Sequence, residues 1–327
     1  RDRRLTEELE SLAHELRPAP ELLERRDRLV QDLRRHLSEQ LPGSGLVPFG
    51  SAASGLWLPG SDLDLSVEVP GVEGRAESKK VLRRVGGILH RLTGNRPEGR
   101  LMAKVPVLHW GPGDDELPRC DISVNNTLAV ANSQLIAAYV RLDPRVRQLA
   151  IALKVWARSR GINDRSQGTL SSFAITLMLI HLLQKRSVLP SLQDLAAARG
   201  EPAREVAGID CQFCSDPDAV NEEVERLRRM PRPGGGAESA GALLIAFFRH
   251  FGCDYRGGLI AIRQPEEAVL ESTAAARFYF VDNPFEPGRD VANVEAGQLA
   301  RVRGEMQRAH RRLSRGGRLA ELLGDGE

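Results

Sequence analysis

The sequence predicts an α+β fold, a small mixed sheet with helices followed by a mainly helical second half. Three observations carry this. Residues 62–69 alternate polar and apolar with period two, which is the pattern of a half-buried strand. Two more strand-like runs, 102–109 and 119–124, flank a polar loop at 111–116. Beyond them, 145–160 and 169–185 carry apolar residues at helical spacing.

The elements follow in order. Two helices come first, at 4–17 and 21–40, split by Pro18 and Pro20; the second places Leu22, Leu23, Leu29, Val30, Leu33 and Leu37 at helical spacing. Pro42, Gly43 and Gly45 make a loop, 46–49 is a short apolar run, and Gly50-Ser51 opens a small-residue segment. Pro59-Gly60 is a turn signal ahead of the 62–69 strand, and 76–93 reads as a helix. Asp143-Pro144 and Gly168-Thr169 are start signals for the later helices. The Pro- and Gly-rich stretch 231–239 reads as a flexible loop. We therefore expect a mixed-sheet domain over 19–130 and a mainly helical domain over 131–327.

Composition bounds the function. A chain of 327 residues suits two domains, and 41% hydrophobic residues suffice for real cores. The formal net charge is only +2, so bulk electrostatics does not drive nucleic-acid binding. Any RNA contact must come from local arginine clusters, such as Arg83 with Arg84, or Arg141, Arg145 and Arg147. The plainer reading of each cluster alone is a solvated helix face. Four cysteines are too few for a disulfide scaffold, and Cys211 and Cys214 form a CxxC without a partner pair, so buried thiols are favoured over zinc. A reduced intracellular compartment, cytoplasmic or mitochondrial, fits this usage. No run reaches the roughly 18–20 apolar residues of a membrane span. The chain opens on Arg1 rather than Met, so we expect a trimmed chain with room for a targeting segment ahead of it.

The chemistry-bearing signal is Phe49-Gly50-Ser51 followed by Gly60-Ser61-Asp62-Leu63-Asp64. On a strand, residues i and i+2 share a face, so Asp62 and Asp64 present two carboxylates side by side. Unpaired, these repel and raise each other's pKa; hard divalent cations resolve the conflict, and carboxylate oxygens suit Mg²⁺. Asp121, in the alternating run Cys-Asp-Ile-Ser-Val, is the candidate third ligand. Gly50-Ser51 offers backbone N–H groups and a hydroxyl to phosphate, because glycine permits close approach.

The order Gly-Ser, Asp-x-Asp, Asp resembles the polymerase-beta nucleotidyltransferase superfamily. The segments 120–133, 146–163 and 168–174, with Asn283-Pro-Phe-Glu286, are similar to terminal RNA uridylyltransferases and their poly(A)-adding relatives. The likeness spans roughly residues 40–310. It implies that 19–130 is a polymerase-beta-type nucleotidyltransferase catalytic domain joined to the mainly helical domain 131–327, with helix 1–18 packed on the latter and the nucleotide in the cleft between the two domains. It also implies two Mg²⁺ or Mn²⁺ ions held by Asp62, Asp64 and Asp121.

Lys154 and Arg158 lie four apart on a helix and so share a face that suits a triphosphate; the plainer alternative is an exposed salt-bridging face. The resemblance assigns them to phosphates. In the matching motif the aromatic after Ser171-Ser172 stacks on the base and the preceding Ser reaches a phosphate. That aromatic is usually Tyr and is Phe173 here, so stacking survives and a hydroxyl contact does not. The resemblance places Asn132 and Ser133 at ribose and phosphates. Uridylyltransferases commonly carry Asp-Pro-Phe-Glu, where this chain has Asn283-Pro284-Phe285-Glu286. The Asn amide can serve uracil or adenine. Arg289 stands where uracil-selective relatives often place His, and a donor there suits uracil O4 and mismatches the adenine amine.

The sequence therefore leads us to expect a monomeric, template-independent uridylyltransferase using UTP and a single-stranded RNA 3′ end. Weak generic RNA binding points to a protein partner that delivers the RNA. The rivals are a poly(A)-type adenylyltransferase with the same chemistry, a silent RNA- or protein-binding scaffold, and a small-molecule nucleotidyltransferase. The complete carboxylate set argues against silence, and the long helical match argues against a small acceptor.

Overall fold

The structure is a computed structural model that describes residues 1–103, 105–114, 116–230, 238–263 and 278–324. The stretch read as a flexible loop falls largely outside these, at 231–237. The chain forms two compact units. One comprises Leu16–Ala137 with Val206–Gly208, and the other Arg1–Glu15, Ala138–Glu205 and Ile209–Glu327.

The first unit holds α2 (Pro20–Gln40), β1 (Gly45–Phe49), α3 (Gly50–Ser54), β2 (Leu63–Glu68), α4 (Gly74–Thr93), β3 (Glu98–Arg100), β4 (Val107–Trp110) and β5 (Cys120–Val124). α1 (Asp2–Glu15) precedes them, and α5 (Thr127–Leu142) carries the division within its length. The five strands form one sheet in the order β1-β2-β5-β4-β3. The pairing is antiparallel except between β2 and β5, which run parallel. Leu63, Leu65 and Val67 of β2 and Cys120, Ile122 and Val124 of β5 enter one core with Leu33 and Leu37 of α2 and Leu82, Val85, Ile88 and Leu89 of α4. Period-two alternation then turns Asp64 and Asp121 the other way.

One strand expectation changes. The run 102–109 is not one strand: β3 and β4 pair antiparallel around a turn that includes Met102, and only 107–110 extends. Pro106 explains part of this, since it fixes φ and supplies no N–H to a ladder.

The second unit is built from α1, α6 (Pro144–Ser159), α7 (Ser172–Lys185), α8 (Leu192–Ala198), α9 (Pro217–Arg229), α10 (Ala240–Arg249), α11 (Ala296–Ser314) and α12 (Leu319–Leu323). Two-residue strands β6 (Glu205–Val206) and β7 (Ile209–Asp210) pair with each other, and β8 (Leu259–Ile260), β9 (Phe280–Asn283) and β10 (Glu286–Asp290) make a small three-stranded sheet. Among the described residues no helix is long and apolar enough to cross a membrane.

Local chemistry sets the helix starts. Asp143 caps α6 by accepting from Arg145 N at 2.9 Å, with Pro144 in the first turn. The start of α7 differs from the expectation. Thr169 does not cap it. Its hydroxyl accepts from Asp164 N and donates to Asp164 O, bracing the preceding turn, and Ser171 caps the helix from Ala174 N at 3.0 Å.

The arginine clusters singled out in the sequence are partly committed to structure. Arg84 donates to Gln40 O, Arg145 to Asp143 and Glu238 O, and Arg147 to Ala13 O. These three close helix ends, whereas Arg83 and Arg141 are exposed.

Helix α1 packs on α6, α10 and α12, burying Leu5, Leu9 and Ala13. The contact with α10 is close: Gly241 N donates to Thr6 Oγ1 at 3.0 Å, and a Cβ on Gly241 would lie 2.5 Å from Asp2 O. Gly241→Ala should therefore cost about 1–3 kcal/mol through overpacking, more than the gain of up to about 1 kcal/mol from better helix propensity. A thermal melt should show a lower midpoint and earlier proteolysis of the first helix. A midpoint equal to or above the parent's would mean that the two helices are not in this contact.

Candidate active site

The site is built on the parallel pair β2–β5. Asp64 and Asp121 are register partners across it, and Phe49 of β1 is the antiparallel partner of Asp64. Asp62 stands one residue before β2 and is exposed, whereas Asp64 and Asp121 are half-buried. Burial raises the Asp121 carboxyl above its ordinary range, against the opposing pull of His109, and Asp62 raises it further. The neighbouring Cys120 thiol is pushed up to about 12, first by burial and then by Asp121, Asp62 and Asp64. All three carboxylates thus act on one point of the sheet.

The Gly50 turn is held against Asp64. Gly50 has φ +63°, and a Cβ there would lie 2.2 Å from Asp64 Oδ2. Glycine serves both needs, a left-handed backbone and an approach that any side chain blocks. Gly50 N donates to Ser133 Oγ at 2.7 Å, and Ser133 Oγ donates to Ala129 O at 2.6 Å. The Gly50 N–H read from the sequence as a phosphate donor is therefore committed inside the protein, and Ser133 serves as its acceptor. Ser51 is half-buried in the first turn of α3, Ser61 is buried, and Asn132 is buried on α5.

Two residues that the sequence reading passed over matter here. His109 of β4 is the register partner of Asp121, and its Nδ1 hydrogen-bonds Asp121 Oδ1. Trp57 donates its indole N–H to both Ser61 O and Asp62 O at 3.2 Å, fixing the peptide that carries the first carboxylate. A buried Trp needs an acceptor, which is a usable signal at a Trp five residues before an Asp-x-Asp. Nothing in a single sequence shows that His109 lies beside Asp121, since that depends on register between β4 and β5.

The donor set suits a hard cation: three carboxylates, two of them register partners on adjacent strands. Among the described residues, no three His, Cys, Asp or Glu side chains are drawn together as ligands, Asp121 being turned to His109.

The other predicted residues lie in the mainly helical unit. Lys154 is buried on α6, while Arg158, one turn later, is exposed. Ser171 is the α7 cap, and Ser172 Oγ donates to Asn163 Oδ1 at 3.0 Å. Phe173 is half-exposed, unlike Ala174 to Gln184 behind it, so it is not core. The β9–β10 turn joins the last three. Asn283 Oδ1 accepts from Phe285 N at 3.0 Å, and Asn283 Nδ2 donates to Glu286 Oε2 at 3.2 Å. Arg289 also donates to Glu286 Oε2. These bonds fix the amide orientation of Asn283, which the sequence had left free to turn either way. Nearby, burial pushes the Asp282 carboxyl up to about 6, although Gly288 N donates to it.

Known proteins resemble this chain in sequence and fold. The family model for the central palm domain of mitochondrial-like poly(A) RNA polymerase matches residues 5–141. Poly(A) RNA polymerase cid13 of Schizosaccharomyces pombe is 33% identical over 284 residues, covering 83% of this chain and 46% of the relative. Terminal uridylyltransferase 4 of Homo sapiens is 30% identical over 281 residues, 83% of this chain and 17% of the relative. A crystal structure of the Cid1 poly(U) polymerase bound to magnesium and 3′-dATP superposes with a TM-score of 0.81 at 26% identity, over 98% of both chains. The chain belongs to the terminal uridylyltransferase and poly(A)-polymerase-like family of nucleotidyltransferases. It spans under half the length of the two sequence relatives just described.

In this family member, Gly50→Ala tests the approach to Asp64 separately from its charge. The new methyl would displace the carboxylate by about an ångström, a misplacement that costs on the order of a hundredfold in rate. We expect RNA extension to fall by at least tenfold while circular dichroism stays native. Unchanged extension would show that Asp64 needs no such placement.

Proposed function

We propose that the chain is a template-independent RNA 3′-terminal uridylyltransferase, transferring UMP from UTP to an RNA 3′-hydroxyl. The RNA O3′ bonds to the α-phosphorus of UTP as the bond to pyrophosphate breaks. The observation that carries the reading is the in-register pair Asp64 and Asp121, with Asp62 beside it, in a chain of this family.

Asp62 and Asp64 would hold both of two Mg²⁺ or Mn²⁺ ions, and Asp121 the one on the hydroxyl side. Bound there, such ions stabilise the entering and leaving oxygens. His109 orients Asp121, Trp57 fixes the Asp62 peptide, and Gly50 keeps Asp64 in place. Ser51 is the donor that the turn offers a phosphate. Lys154 and Arg158 supply positive charge for the triphosphate, Phe173 a face for the base, and Asn132 an amide for the ribose 2′-hydroxyl.

Base choice rests on the β9–β10 turn. Glu286 is the acceptor for uracil N3–H, directly or through water, and Arg289 the donor to O4. Arg289 shares one N–H with Glu286 and has more to offer, since a guanidinium carries five. Asn283 holds Glu286 instead of touching the base. Adenine would turn its amine toward the Arg289 donors. The adenylyl reading is kept as the second one because a poly(A) RNA polymerase is 33% identical to this chain. RNA delivery by a protein partner and a monomeric state remain part of the proposal.

The test is the UTP to ATP ratio of kcat/KM for the parent and for Arg289→Ala. A hydrogen bond to a charged group is worth about 1.5–3 kcal/mol, so the ratio should fall roughly ten- to a hundredfold. An unchanged ratio would remove Arg289 from base reading. A parent that prefers ATP would replace the uridylyl reading with the adenylyl one.

A further inference from the structure

A basic concavity of the mainly helical unit is lined by none of the residues assigned above. It has a volume of about 1300 Å³ and is lined by the end of α6, the last turns of α11, and α12. Trp156 and five arginines, Arg160, Arg308, Arg311, Arg312 and Arg315, contribute to its wall. Two carboxylates also line it, and each is already neutralised: Glu305 pairs with Arg308, and Glu321 with Arg312.

The arginines divide into two groups. Arg160 donates to Leu322 O at 2.8 Å and Gly324 O at 3.0 Å, and Arg312 to Glu321 O at 2.8 Å, so these two tie α12 to its neighbours. This accounts for them without a ligand. It does not account for Arg311 and Arg315. Arg311 lies in the last turn of α11 and Arg315 is the residue just after it; both are exposed, and neither side chain has a hydrogen-bond or ion-pair partner among the described residues. A second observation points the same way. Trp156 is 1% exposed, yet its indole Nε1 has no acceptor. A buried donor without a partner costs about 1–3 kcal/mol unless something outside supplies one. What remains unsatisfied is thus guanidinium and indole N–H, which ask for an anion.

Size separates the anions. Pockets for small ligands run to about 300–1,000 Å³, and this one exceeds that. It suits a chain of phosphates better than a single nucleotide or ion. We propose that the groove of α6, α11 and α12 binds the phosphodiester backbone of single-stranded RNA, away from the 3′ end that reacts. This rests on the reading of the chain as an RNA-extending enzyme. It also places the RNA-binding charge in a cluster near the C-terminal end of the sequence, in a protein whose net charge is only +2.

The test uses the whole chain and the double variant Arg311→Glu/Arg315→Glu, whose residues hold no structural partner. Fluorescence anisotropy with a labelled RNA of about fifteen nucleotides gives affinity across a salt series. Extension is followed on that RNA and on a trinucleotide. The variant should bind the long RNA at least tenfold more weakly. Its salt slope should be shallower by about 1.4, because two phosphates are no longer neutralised. KM for the long RNA should rise, and extension of the trinucleotide should match the parent. Equal affinity and slope in parent and variant would overturn the proposal, as would an equal loss on both RNAs. So would tripolyphosphate binding that depends on the two arginines while RNA binding does not. If the parent binds RNA through these arginines and extends nothing, the groove stands and the enzymatic reading fails.

Discussion

The parallel pairing of β2 with β5 is the constraint on which the catalytic arrangement depends. It places Asp64 opposite Asp121, and two unit charges about 5 Å apart repel by roughly 3 kcal/mol at an effective dielectric of 20. The same two strands bury Leu63, Leu65, Val67, Cys120, Ile122 and Val124 on their other face. At about 1.5–3 kcal/mol for each fully buried large side chain, that burial outweighs the repulsion several times over. The sheet can therefore hold like charges together because period-two alternation sends apolar groups one way and carboxylates the other. The positions of Asp64 and Asp121 follow from their strands, and neighbours refine all three carboxylates: His109 for Asp121, the Gly50 turn for Asp64, and the Trp57 indole for Asp62, just ahead of β2.

Much of the candidate chemistry is an arrangement of polar groups that would otherwise be unsatisfied. Ser133 accepts the Gly50 N–H, and Glu286 gathers donors from Asn283 and Arg289. Such contacts convert a set of residue types into a defined geometry. Ser133 and Asn283, both expected to meet the nucleotide, also have partners within the protein.

The legible part of the sequence was the part governed by short periods. Strands β2 and β5, helices α4, α6 and α7, and the facing of Asp64 and Asp121 away from the core all follow from spacing along one segment. What was not legible depends on register or on contacts far apart in sequence. The pairing of His109 with Asp121 requires the β4–β5 register. The split of 102–109 into a turn and β4 requires knowing that β3 folds back on it. The basic groove joins Trp156 and Arg160 to arginines about 150 residues away. Of the arginine clusters adjacent in sequence, by contrast, Arg84, Arg145 and Arg147 proved to be occupied at helix ends.

Nucleotidyl transfer should require Asp62, Asp64 and Asp121 together, and folding should require none of them. The direct measurement is extension of a short labelled RNA with Mg²⁺ or Mn²⁺ and each nucleoside triphosphate in turn, by the parent and by Asp62→Ala, Asp64→Ala and Asp121→Ala. The expected result is extension by the parent, with UTP preferred, and none by any variant. Each variant should keep native circular dichroism and a thermal midpoint at or above the parent's. A variant that extends RNA at near the parental rate would break this requirement, because that carboxylate would then not belong to the site.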